Sequence, residues 1–108
     1  MINGYARASR LIVPAVRSTI ARELKRRYEM TEEEIAGHLG VAQAAVSKYL
    51  KGKYSVRIKE IEASIDLASL EEYISRISAG GSKYVSASIC RVCRKENEFG
   101  CKFSKTEV

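Results

Sequence analysis

The sequence lacks any long apolar run. No stretch of the 108 residues approaches the ~18 consecutive apolar side chains that a membrane-spanning helix requires. The triplet Leu11-Ile12-Val13 is too short for the core of a secretory signal peptide, and no small-residue cleavage site follows it. We therefore expect a cytoplasmic protein with no membrane partner.

Histidine and the side-chain amides are also scarce. The chain has one His (His38), one Gln (Gln43) and two Asn, while Ile, Lys, Arg and Glu are abundant. This balance is typical of proteins from hyperthermophiles and predicts a thermophilic archaeal or bacterial source. The single histidine also leaves few nitrogen ligands for zinc, which prefers four ligands.

Positive charge is present in excess, and its distribution is uneven. The formal net charge is +6, with +5 over residues 1–30, zero over 31–54, −2 over 55–80 and +3 over 81–108. A basic balance favours nucleic acid or an anionic membrane as partner, although an ordinary soluble basic protein shares it.

Sustained strand alternation is absent, and the apolar side chains recur at helical spacing. Pro14 suits the first turn of a helix, in which Val16, Ile20, Leu24 and Tyr28 form one apolar stripe. The residues before it, 1–13, are expected to form a flexible arm. The sequence thus predicts an all-α fold of five to six helices.

Four more helical segments follow. Thr31 and Glu34 form a capping box, and Gly40 ends that helix, with Ile35, Ala36 and Leu39 on its buried face. A short helix is predicted over 42–51, one bent helix or two over 56–77, and a last helix from Ser82 to about Asn97. Gly80-Gly81 divides a region 1–79 from a region 80–108.

The pair of short helices around Gly40 has the spacing of a DNA-binding helix-turn-helix. Ala36 is small where the two helices cross, Val41 fills the turn, and Val46 packs the second helix against the first. The exposed positions of the second helix are then Gln43, Ala44, Ser47, Lys48 and Lys51.

The segment from Thr31 to Tyr54, TEEEIAGHLGVAQAAVSKYLKGKY, resembles the helix-turn-helix of the phage-repressor class, the Cro and lambda-repressor type. The resemblance extends over roughly residues 14–79. It implies a sequence-specific transcription regulator that binds double-stranded DNA as a homodimer and reads a pseudo-palindromic operator with half-sites ~10 bp apart. Glu32 and Glu33 depart from the pattern, because several relatives have a neutral phosphate-contacting side chain there.

The resemblance also implies residue roles. Gln43 matches a position that reads a base edge, and its amide can pair with adenine N6 and N7. Ala44 would contact a thymine methyl group, while Ser47 and Lys48 would reach bases or phosphates. The phosphate candidates, which set register rather than sequence, are Lys51, Lys53 and, more weakly, Arg17.

All three cysteines lie in the last 19 residues, as Cys90, Cys93 and Cys101. Basic neighbours such as Arg91 and Arg94 favour the thiolate, the species that binds metal or reacts. Four interpretations remain open: an iron–sulfur cluster, zinc, a thiol–disulfide switch, or small core residues without a ligand. A thioredoxin-type oxidoreductase is disfavoured because no βαβ pattern surrounds the pair.

The combination of these features also looks like a group of archaeal predicted regulators, in which a helix-turn-helix preceded by a Pro-started helix is joined to a C-terminal C-x2-C followed by another Cys. Several such relatives have a His after the last Cys, where this chain has Lys102, Phe103 and Ser104. The resemblance therefore implies an iron–sulfur cluster, 4Fe-4S or 2Fe-2S, held by three cysteines, in a non-enzymatic regulator that senses redox state, oxygen or iron. The alternatives are structural zinc or no cofactor, an electron-transfer protein, and an RNA-associated factor.

Overall fold

The computed structural model describes residues 8–96, with side chains over 10–92. Within that part, a π-helical turn over Ala8–Ile12 leads into six α-helices. They are α1 (Val13–Tyr28), α2 (Glu32–Leu39), α3 (Gln43–Lys51), α4 (Val56–Ser64), α5 (Leu67–Ser78) and α6 (Lys83–Glu96). The all-α prediction is confirmed, and none of the helices in this range has the length and apolarity to cross a bilayer.

The expected arm over residues 1–13 is wrong for its second half. Ala8–Ile12 is helical and joins α1 directly, and Ile12 is only 2% exposed within the apolar core. This buried isoleucine extends the apolar stripe one turn before Val16, so the helix begins earlier than the position of Pro14 suggests. Residues 1–7 lie outside the described part.

Helix α1 is the central element, because it contacts each of the other five helices. Val16, Ile20 and Leu24 are fully buried, as their spacing predicts. Tyr28 is 42% exposed, so the stripe ends one turn earlier than expected. The chain turns away immediately afterwards, where Glu29 adopts a left-handed conformation with φ 54°.

The corner between α2 and α3 follows the sequence closely. Glu34 N–H donates to Thr31 Oγ1 at 3.1 Å and Thr31 N–H donates to the Glu34 carboxylate at 2.8 Å, which completes the capping box. Gly40 has φ 71°, a left-handed value that favours glycine, and its N–H donates to the Ala36 carbonyl. Val46 then packs α3 inward and is fully buried.

The segment over 56–77 forms two helices rather than one. Asp66 begins the second, since its carboxylate accepts from Ala68 N–H at 3.1 Å. Helix α6 packs on α5 and α1, and its Val85, Ile89 and Val92 join the same apolar cluster as Ile12. Among the described side chains, the core therefore runs continuously from Ile12, just before α1, to Val92 on α6.

Candidate nucleic-acid interface

The outer face of α3 carries the residues that the sequence singled out. Gln43, Ala44, Lys48 and Lys51 are exposed, and Ser47 is half-buried. One shallow concavity of about 260 Å³ adjoins this face. Its lining residues are Ala44, Ser47, Lys48, Lys51 and Lys53. Five of the seven predicted DNA-binding residues thus surround one surface feature, and none of the five is acidic.

The far end of α3 is fixed by backbone hydrogen bonds. Gly52 ends the helix with φ 70°, and its N–H donates to the carbonyl groups of Lys48 and Tyr49. The N–H of Lys53 returns to the Lys48 carbonyl at 3.0 Å. This capping pattern holds Lys53 beside Lys51 at the edge of the concavity.

The start of α3 differs from the starts of its neighbours. Thr31, Ser55 and Asp66 each cap a helix with a side chain, whereas Ala42 has no side-chain acceptor for α3. The first N–H groups of a helix have no partner within the helix and attract anions. The exposed beginning of α3 therefore combines uncapped N–H groups with the amide of Gln43.

Beneath the loop that follows α3 lies a polar cluster, which we call the Glu62 network: Ser18, Arg22, Tyr54 and Glu62. Tyr54 donates its hydroxyl hydrogen bond to Glu62 at 2.7 Å, and Arg22 reaches both the Tyr54 oxygen at 2.6 Å and the Glu62 carboxylate at 3.1 Å. Ser18, fully buried, also donates to Glu62. The network joins α1 and α4 to the residue that follows Lys53.

The electrostatics of this network keep Arg22 and Tyr54 each in one protonation state near neutral pH. Burial alone would lower the pKa of Arg22, but its hydrogen bond to Tyr54 and the nearby Glu62 carboxylate raise it overall. Burial and the hydrogen bond to Glu62 raise the pKa of the Tyr54 hydroxyl. At neutral pH Arg22 is therefore charged and Tyr54 is a neutral donor.

Lys59, on α4, is a basic residue near the concavity that the sequence reasoning missed. A Cβ atom at Gly52 would lie 3.9 Å from Lys59 Cε, and Lys59 Nζ lies 5.8 Å from the centre of the Tyr54 ring. The ammonium group is thus beside the loop that carries Lys53. Only the packing of α4 against the rest of the fold brings it there, and sequence spacing gave no signal for it.

Arg17 lies elsewhere. It lines a different pocket, between α1 and α6, together with Val13, Ser86, Ile89 and Cys90. The sequence grouped Arg17 with the phosphate contacts because it falls on the basic side of the first helix, but the described lining residues of the α3 concavity do not include it. Glu32 and Glu33 at the start of α2 are likewise not among those lining residues.

The cysteines are only partly within the described region. Cys90 is half-buried on α6. Cys93 follows it on the same helix with the i, i+3 spacing that places two positions on one face. The side chain of Cys93 and the whole of Cys101 lie outside the described residues, so the predicted three-cysteine ligand set stays a prediction.

Comparison of the chain with protein-family models, with curated proteins and with solved structures finds no match.

Proposed function

We propose that the chain is a sequence-specific DNA-binding transcription regulator in which α2, the turn at Gly40 and α3 form a helix-turn-helix. Helix α3 is the recognition helix and enters the major groove with its exposed face. A homodimer would place two such helices on the half-sites of a pseudo-palindromic duplex.

The observation that carries the proposal is the concentration of lysines around one concavity on an exposed helix. Lys48, Lys51 and Lys53 line it without an acidic neighbour among the lining residues. Lysines arranged in this way neutralise backbone phosphates and release counterions, which provides most of the affinity for DNA. Lys59 adds a fourth cation beside the same loop.

Sequence discrimination falls to the first turn of α3. Gln43 and Ala44 are both exposed there, and the uncapped N–H groups beside them favour the approach of a phosphate. The Gln43 amide can form a bidentate pair with adenine, and the Ala44 methyl group can contact a thymine methyl group. Phosphate contacts set the register, and these two residues read the bases.

The test begins with selection of duplexes from a random library by the full chain, followed by fluorescence anisotropy. Gln43→Ala is expected to cost ~1–3 kcal/mol on the selected duplex and to relax preference at one base pair. Lys51→Ala is expected to weaken selected and random duplexes alike and to reduce the slope of log affinity against log salt by about 1.

Lys25→Ala is the matched control, because it removes one positive charge from an exposed position of α1 that does not line the concavity. A loss of affinity for Lys25→Ala as large as that for Lys51→Ala would contradict the proposed interface. A preference for structured RNA over duplex DNA would replace it with the RNA-associated alternative.

We further propose that the cysteines bind an iron–sulfur cluster that makes DNA binding depend on redox state, oxygen or iron. The support is chemical: Cys90 and Cys93 share one helix at i, i+3 spacing, and thiolates are the ligands that such clusters require. No three His, Cys, Asp or Glu side chains come together within the described region, so a metal site at Cys90 would need ligands from beyond it. When bound, such a cluster would supply one-electron chemistry.

Iron, sulfide and zinc analysis of anaerobically purified protein tests this second proposal. Matching iron and sulfide, lost in Cys90→Ser, would support it. Zinc without iron would indicate a structural role for the cysteines. The absence of any metal would favour the thiol–disulfide switch. Operator affinity that is the same for Cys90→Ser and the unaltered chain in both redox states would refute sensing by these cysteines.

A further inference from the structure

A second pocket lies between α1 and α6 and shares no described lining residue with the Glu62 network. It has a volume of about 190 Å³ and is bounded by Val13 and Arg17 of α1 and by Ser86, Ile89 and Cys90 of α6. Of the described lining side chains, Val13 and Ile89 are aliphatic, and the other three supply a guanidinium, a hydroxyl and a thiol. Drug-sized ligands use pockets of roughly 300–1,000 Å³, so this one fits a smaller molecule.

The positive charge of Arg17 is uncompensated within the described part of the chain. Its Nε–H is shut off from water and has no hydrogen-bond acceptor there, and Arg17 forms no ion pair with any described carboxylate. The described arginines of α1 that follow it, Arg22, Arg26 and Arg27, each pair with a glutamate. A guanidinium that is partly desolvated without an acceptor attracts an anion.

We propose that this pocket, which we call the Arg17 pocket, binds a small organic carboxylate. The carboxylate pairs with the Arg17 guanidinium, the Ser86 hydroxyl contributes a hydrogen bond at the rim, and a short aliphatic chain packs on Val13 and Ile89. The inference goes beyond the proposed function, since it requires neither DNA nor a metal. It also places a bound anion beside the Cys90 thiol.

That neighbouring thiol allows the pocket to be probed directly. In a full-length chain carrying Cys93→Ser and Cys101→Ser, the remaining thiolate, at Cys90, displaces iodide from iodoacetate or from iodoacetamide and forms a new C–S bond. Iodoacetate carries a carboxylate and iodoacetamide is its neutral analogue. The ratio of the two rate constants cancels changes in thiol ionisation, because both reagents react with the same thiolate.

Arg17→Gln is expected to lower the iodoacetate-to-iodoacetamide rate ratio about fivefold, because the charge that attracts the carboxylate is removed. Arg91→Gln is the matched control: it removes the same charge beside Cys90 in sequence but from an exposed position that does not line the pocket. Arg17→Lys keeps the charge and is expected to retain most of the ratio. Circular dichroism verifies that each variant is folded.

A second measurement uses a ligand that does not react. Propionate is expected to slow the alkylation of Cys90 by iodoacetamide in the chain with Arg17 and to have no effect in Arg17→Gln, whereas neutral propionamide protects neither. An unchanged ratio in Arg17→Gln, an equal fall in Arg91→Gln, or equal protection by propionate and propionamide would each overturn the proposal. Because no duplex or metal is present, these outcomes are separate from failure of the DNA-binding proposal.

Discussion

Two arginines of α1, five residues apart, have opposite surroundings. Arg22 is held by the Glu62 network, with hydrogen bonds to Tyr54 and Glu62. Arg17 lines a pocket with Cys90, and its Nε–H has no acceptor among the described side chains. The same helix therefore has one polar contact that is complete and one that an outside molecule could complete.

The difference assigns Arg22 to the stability of the fold and Arg17 to the binding of a ligand. A buried polar group that is fully hydrogen-bonded fixes the elements that supply its partners, whereas an unsatisfied one marks a place open to a ligand. The Glu62 network fixes the α3–α4 loop, which carries Lys53, against α1. The Arg17 pocket joins α1 to the helix that carries Cys90 and Cys93, so α1 is the shared element between the two proposed sites.

The largest expected effect is the removal of the carboxylate at the centre of the network. Glu62→Ala leaves Arg22 and the Tyr54 hydroxyl without their acceptor, and we expect the free energy of unfolding to fall by about 3 kcal/mol. Glu60→Ala, at an exposed position of the same helix, is expected to change it by less than ~0.5 kcal/mol. Urea denaturation measures the free energy of unfolding of both variants. An equal loss for Glu62→Ala and Glu60→Ala would mean that the hydrogen bonds of Arg22 to the Glu62 network do not stabilise the fold.

The comparison can be tested directly by giving both arginines the same apolar replacement. Arg22→Met leaves the nearly buried Glu62 carboxylate, 9% exposed, without its cation and is expected to cost about 2 kcal/mol. Arg17→Met removes an unsatisfied donor and keeps the aliphatic stem, so stability is expected to stay within ~0.5 kcal/mol of the original. A loss for Arg17→Met as large as that for Arg22→Met would show that Arg17 has a partner beyond the described residues.

Much of the fold could be predicted from the sequence because local signals agree with the tertiary structure there. The capping box at Thr31, the glycine at position 40 and the apolar spacing through Leu24 each specify a local geometry that the packing keeps. The boundary at Pro14 failed because Ile12 is buried in the core, and helical periodicity alone does not show how far such burial extends.

The candidate interface also has parts that could be predicted from the sequence and parts that could not. The exposed face of α3 could be predicted, since residues on one helix face follow from a period of 3.6. The Glu62 network could not, because Ser18 is 44 positions from Glu62 and Arg22 is 32 positions from Tyr54, and they meet only after α1, α4 and the α3–α4 loop pack together. Lys59 could not either, because its place beside Tyr54 depends on the direction in which α4 leaves the α3–α4 loop. The position of Arg17 beside Cys90 is a long-range contact of the same kind.

The corner between α2 and α3 also has a backbone requirement, and Gly37 and Gly40 provide a matched pair there. Gly40→Ala forces a side chain into a left-handed conformation at φ 71° and is expected to cost about 1 kcal/mol. Gly37→Ala, in open space on α2, is expected to stabilise by ~0.5–1 kcal/mol because alanine favours the helix. Thermal denaturation measures both variants: the melting temperature is expected to fall in Gly40→Ala and to rise in Gly37→Ala.

Glu23, on α1 between the positions of Arg22 and Arg26, is a charged group that, among the described residues, is paired only within its own helix. Its carboxylate is nearly buried and accepts hydrogen bonds at 2.6 Å from Arg26 and from Arg27. Burial would raise the pKa of Glu23, but these two guanidinium groups lower it below the ordinary value of 4.5. A carboxyl group whose pKa is lower in the folded state stabilises the fold above its unfolded pKa, and this contribution is lost as the pH falls through the folded value.

Glu23→Gln is therefore expected to cost about 1 kcal/mol at neutral pH and progressively less as the pH is lowered below 4.5. Urea denaturation between about pH 7 and about pH 3 measures the difference between the two chains. A difference that stays constant over this range would mean that Glu23 acts through packing and not through charge. Arg17→Gln, whose guanidinium has no described carboxylate to pair with, is the control in which no such pH dependence is expected.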